Sequence, residues 1–184
     1  MKIKYNSPVI LTYTIISILL LFLSGLFGID LLYRFFSTPV HLDYQHPSFY
    51  FKLISYIAGH AGWGHLTGNF IMILLVGPLL EEKYGSLRLF EMIMVTAIVT
   101  STVNLILFPN PIMGGSGISF MLILLASFSN FKGNEIPFTF IIIAVLFLGN
   151  EIAASLKPDK ISQFSHIAGG VVGAGYGFIR VGKK

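Results

Sequence analysis

Cysteine is absent from the 184-residue chain. That removes disulfides, thiolate metal sites, iron–sulfur clusters and cysteine nucleophiles together. Charge is nearly as scarce: Asp, Glu, Lys and Arg make up 11% of the residues, against about 25% in an ordinary soluble domain. So few charges cannot cover a water-facing surface of this size. The basic residues form no block interleaved with aromatics, so the formal net charge of +4 is not a nucleic-acid signal. What is abundant instead excludes disorder: 54% of the residues are apolar, 17 Phe among them. Mean hydropathy is +0.80. This is the composition of an integral membrane protein.

The few charges cut the chain into its spans. Tyr5 to Ile29 is 25 residues without a charge, enough for a helix through a hydrocarbon core of about 30 Å. It is too long for a signal peptide and lacks a small-residue cleavage site, so it reads as the first span. Asp30 to Lys52 mixes aromatics, Pro and charges and reads as an interfacial or re-entrant loop. No charge follows until Glu81, but Gly59, Gly62 and Gly64 delay the second span to about Trp63, and Glu81-Glu82-Lys83 stop it. Met92 to Phe131 is 40 uncharged residues, divided by Pro109, Pro111 and Gly114-Gly115 into a third and a fourth span. Ile136 to Asn150 gives a short fifth span of 15 uncharged residues, and Ile161 to Ile179 a sixth. The expectation is one all-α domain over 1–184, with spans near 8–29, 63–80, 89–108, 115–131, 136–152 and 162–180.

Six spans put both termini on one side of the membrane. Lys2, Lys4, Lys83, Arg88, Lys132, Arg180, Lys183 and Lys184 then share that side, against Arg34, Lys52, Lys157 and Lys160 on the other. The positive-inside rule places the termini in the cytoplasm.

Polar residues inside spans are costly, and three clusters stand out. His65 and Asn69 enter the second span four residues apart, on one helical face. Ser116 opens the fourth span between Gly115 and Gly117. His166 lies in the sixth on a face with Gly169, Gly170, Gly173 and Gly177. Taken singly, each has a structural explanation: a membrane Ser bonds its own i−4 carbonyl, and glycine stripes pack helices. His60, just outside the second span, reads as an interfacial residue. Together, however, the clusters form a complete set for nucleophilic catalysis. A serine hydroxyl needs a base, and His is the usual one near neutral pH. The glycine face would bring His166 to Ser116. The N–H groups that open the fourth span, around Gly115 and Ser116, would join the His65 and Asn69 side chains as oxyanion donors. No acidic third member is in evidence, which makes this a Ser–His dyad.

Four motifs in order carry a resemblance across nearly the whole chain. They are HxxxN as His65 and Asn69, Glu82-Lys83-Tyr84-Gly85-Ser86 before the third span, GxSG as Gly114 to Gly117, and HxxGxxxG as His166, Gly169 and Gly173. The sequence resembles the rhomboid intramembrane serine proteases in their minimal six-helix prokaryotic form. The resemblance implies a six-helix bundle whose short central fourth helix carries Ser116 as nucleophile. His166 would be general base, and His65, Asn69 and the Gly115–Ser116 backbone the oxyanion site. It implies transmembrane proteins as substrates within the lipid bilayer, no cofactor, no metal, no nucleic acid, and a site opening to the extracytoplasmic side of the cell membrane. Phe51-Lys52 stands where the family often has Trp-Arg, Phe120 where a Tyr commonly follows the nucleophile by four, and Ser165 where Ala is usual. Two other readings stay open: a non-catalytic relative that binds transmembrane helices, and a bis-His haem protein using His65 and His166. HExxH is absent, which disfavours an intramembrane zinc protease.

Overall fold

The chain opens on a helix that caps itself with a distant carboxylate. The computed structural model describes residues 5–108, 110–128, 138, 141, 142, 145, 146 and 162–181, and all regular structure among them is helical. Helix α1 spans Pro8–Phe27, with Pro in its first turn, where no N–H is missed. Ser7 precedes it without a side-chain cap bond. The orphan donors go instead to Glu81: its Oε1 accepts the Val9 N–H at 2.9 Å and its Oε2 the Ile10 N–H at 3.0 Å. Gly28, at φ +95°, ends the helix.

Helices α2 (Asp30–Phe35) and α3 (Pro47–Ser55) and a 3-10 turn (Tyr56–Ala58) form the segment expected to be interfacial. At nine residues, α3 is about 13 Å long and cannot cross a bilayer. Helices α4 (Trp63–Tyr84) and α5 (Ser86–Leu107) follow, turned about Gly85 at φ +83°. The expected stop at Leu80 is passed by four residues. The reason is Glu81, which is buried because α1's N-terminus and the Ser86 hydroxyl (2.7 Å) satisfy its oxygens. Helices α6 (Ser116–Phe128) and α7 (Ser162–Val181) complete the described chain. The fifth expected span, 136–152, lies outside the described residues apart from scattered positions.

Three helices, α1, α4 and α5, have the length and apolarity to cross a membrane, and α6 and α7 contain shorter apolar stretches. Their outward side chains, such as Leu19, Phe22, Ile71, Leu75 and Ile106, are exposed as lipid-facing residues would be. Residues 117–125 of α6 are all buried, between α4, α5 and α7. Helix α7 comes close to α5 through glycine: a Cβ on Gly169 would collide with Thr100 Oγ1, and one on Gly173 with Thr96 Oγ1. This is the small-residue packing that membrane helices use in place of a hydrophobic drive.

Candidate active site

The strand of chain that delivers Ser116 is held from both sides before α6 begins. Thr38 and Ile112 exchange two hydrogen bonds, Thr38 N to Ile112 O at 2.9 Å and Ile112 N to Thr38 Oγ1 at 3.0 Å. Asn104, at the end of α5, donates to the Asn110 carbonyl at 2.8 Å. The Gly114 N–H reaches the Tyr56 carbonyl at 3.0 Å, and Tyr56 is itself buried with its hydroxyl on Ala97 O. The loop is therefore fixed by polar bonds to α5, to the 3-10 turn and to the chain after α2.

Gly114 sits at φ +128°, where a side chain would be strained. Space forbids one as well: a Cβ there would lie 2.7 Å from His65 Cε1, 2.8 Å from His65 Nε2 and 3.5 Å from Asn69 Nδ2. Both polar side chains of α4 thus converge on the peptide two residues before Ser116. His65 is exposed and Asn69 buried. Gly115 is equally confined, since a Cβ would stand 2.6 Å from the Tyr13 hydroxyl.

Ser116 is the first residue of α6, so its own N–H has no acceptor within the helix. Its hydroxyl lies 3.0 Å from His166 Nδ1 and 3.3 Å from Nε2. Both ring nitrogens are in reach, and whichever is unprotonated can accept the hydroxyl hydrogen. Ser116 is half-buried and His166 buried. Gly117 faces α7 and α5: a Cβ there would meet the His166 Cα at 3.7 Å, an ordinary contact, and Thr100 Oγ1 more tightly at 3.3 Å. Phe120 packs its ring against Gly170, four residues after His166. Among the described residues no carboxylate is bonded to His166.

His60 is the residue that sequence reasoning undervalued. It lies in the short non-helical stretch before α4 and was expected at an interface, yet it is fully buried. Its Nε2 is 3.2 Å from Asn69 Nδ2 and 3.3 Å from the Gly115 N, and its ring meets that of His65 edge-on at 5.1 Å. The Gly115 N–H therefore points at His60 in this structure. Burial, and after it the neighbouring His65, lowers the His60 imidazole to about 4.

A model of the Rhomboid domain matches residues 47–183. The chain belongs to the rhomboid family. It is 29% identical over 139 residues to Rhomboid-related protein 1 of Caenorhabditis elegans, a match covering 70% of this chain and 39% of that protein. The chain thus spans about two-fifths of the length of that relative. Within the rhomboid match fall His60, His65, Asn69, Ser116 and His166, whereas α1 and α2 precede it. The described helices are those of a rhomboid-type membrane bundle.

Proposed function

We propose that this rhomboid is an intramembrane serine endopeptidase that cleaves transmembrane segments of membrane proteins. In this reading the bundle has six spans, and the short central helix α6 carries the nucleophile. The observation that carries it is the Ser116 Oγ to His166 Nδ1 distance of 3.0 Å, made across two helices at the mouth of a glycine-lined contact. His166 takes the hydroxyl proton as Oγ bonds to the scissile carbonyl carbon, and the carbonyl oxygen becomes an oxyanion. The Ser116 N–H, Asn69 and His65 are donors to that oxygen, one such donor being worth about 3–4 kcal/mol of transition-state stabilisation. When the C–N bond breaks, His166 returns the proton to the leaving amine. Water then attacks the acyl-enzyme with His166 again as base, and Ser116 regains its proton.

The test is labelling by a fluorophosphonate probe alongside cleavage of a transmembrane reporter in detergent. Ser116→Ala and His166→Ala should each abolish cleavage, and the double variant should be no worse, because the pair acts as a unit. Labelling should vanish with Ser116→Ala. Wild-type turnover in either single variant would refute the dyad. A wild type as silent as Ser116→Ala, but still binding transmembrane segments, would make the chain a non-hydrolytic member of its family.

A further inference from the structure

Three contacts converge on the buried His60 ring, and together they define its tautomer. Nδ1 lies 3.2 Å from the Ala58 carbonyl, which can only accept, so Nδ1 carries the hydrogen. Nε2 faces two donors, the Asn69 Nδ2 at 3.2 Å and the Gly115 N at 3.3 Å, so Nε2 carries the lone pair. One neutral imidazole serves all three, its single Nε2 lone pair shared between the two donors. Turning the Asn69 amide over would set its oxygen against that lone pair, so His60 also decides which way the amide points.

An Asn amide has two N–H bonds, and rotation about its last side-chain torsion is otherwise broad. With one N–H committed to His60, the other is fixed in direction beside Gly114, two residues from the nucleophile. The same nitrogen of His60 holds the peptide that leads into Ser116. The His65 ring meets the His60 ring edge-on at 5.1 Å.

We infer that His60 is a positioning residue for the oxyanion site: its Nε2 sets the Asn69 amide and the Gly115 peptide so that the remaining donors face the reacting carbonyl. This rests on the protease reading, since only hydrolysis needs that donor array. His60 touches neither the nucleophile nor the substrate carbonyl. Its effect passes through Asn69 and Gly115.

Two variants separate acceptor from bulk. His60→Phe keeps a ring in the cavity and removes the acceptor; His60→Gln places an amide oxygen close to where Nε2 stands. His60→Phe should lower kcat roughly 10- to 1,000-fold with KM little changed, and His60→Gln should recover most of the loss. In an Asn69→Ala background the Phe substitution should cost far less than in wild type, because the two residues act on one donor. Amide exchange at Gly115 should be faster in His60→Phe than in wild type and slow again in His60→Gln, whether or not the protein hydrolyses anything. Should the Phe variant not fold, His60→Asn, too short to supply the acceptor, takes its place. Equal kcat in the Phe and Gln variants, additive losses with Asn69→Ala, or unchanged Gly115 exchange would overturn the inference. If wild type shows no Ser116-dependent hydrolysis, the protease reading fails and the oxyanion role of His60 falls with it. The Gly115 exchange then still decides whether His60 holds that peptide.

Discussion

Ser116 differs from several other hydroxyl residues of the helices in where its oxygen goes. Thr14 donates to Ile10 O, Thr67 to Trp63 O and Ser119 to Gly115 O, each one turn back along its own helix. Ser116 has no turn behind it, because α6 begins with it and residues 112–115 are not helical. Its hydroxyl is left for His166. That distinction was legible in the sequence, since Gly114-Gly115 marks where the helix must start. The His65–Asn69 spacing was legible for the same kind of reason, a fixed four-residue step on one face. His60 was not, because it lies in a glycine-rich stretch with no periodicity to aim it. Its burial yields a pH prediction. The folded value near 4 is below the ordinary 6.5, so as pH falls between them the unfolded chain takes up a proton that the folded chain resists. Stability contributed by this site is complete above about 6.5 and is lost as pH drops toward 4. Thermal unfolding in detergent from pH 7 to 4.5 should show wild type declining more steeply than His60→Phe. Parallel declines would mean that His60 does not carry the slope.

At the scale of elements, the helices were readable and their partners were not. Uncharged runs located α1, α4, α5 and α7, and glycine marked one face of α7 for close packing. Nothing in the pattern pointed to Thr96 and Thr100 as the residues those glycines meet. Charge misled at the end of α4, where Glu81-Glu82-Lys83 were expected to stop the helix after Leu80 and it runs to Tyr84. The bonding partners of Glu81, Val9 and Ile10, are more than 70 residues away in sequence, beyond any local rule. Because the carboxylate is buried, its loss strands donors as well as removing bonds. A buried polar group left without a partner costs about 1–3 kcal/mol. Glu81→Ala, which orphans the Ile10 N–H and weakens the capping of α1, should lower the melting temperature by several degrees. Glu81→Gln keeps an acceptor oxygen and should lose less. If both variants melt with wild type, the cap at α1 contributes nothing to stability.

For the molecule as a whole, the remaining question is which way the site faces, and α5 serves as the ruler. Its 22 residues rise about 33 Å, close to the thickness of a hydrocarbon core. At its start lie Arg88 and the turn carrying Lys83, tied through Glu81 to the beginning of α1. At its far end Asn104 holds the loop that leads to Ser116. Helix α7 runs back alongside, with His166 near its start and Tyr176 bonded to Glu91 at 3.1 Å toward the other end. The Ser116–His166 pair and the basic turn are therefore at opposite ends of one membrane-length helix. Eight of the 12 Lys and Arg residues were assigned to the side of that turn. The positive-inside rule predicts that this side is cytoplasmic and that Ser116 opens away from the cytoplasm. The absence of cysteine makes this directly measurable, because any single introduced thiol is the only one present. His41, in the exposed stretch between α2 and α3, and Glu82, exposed beside the basic turn, are suitable positions. In sealed right-side-out vesicles, an impermeant maleimide should label His41→Cys and leave Glu82→Cys unmodified until the membrane is permeabilised. The opposite pattern would turn the molecule over and place the dyad on the cytoplasmic side.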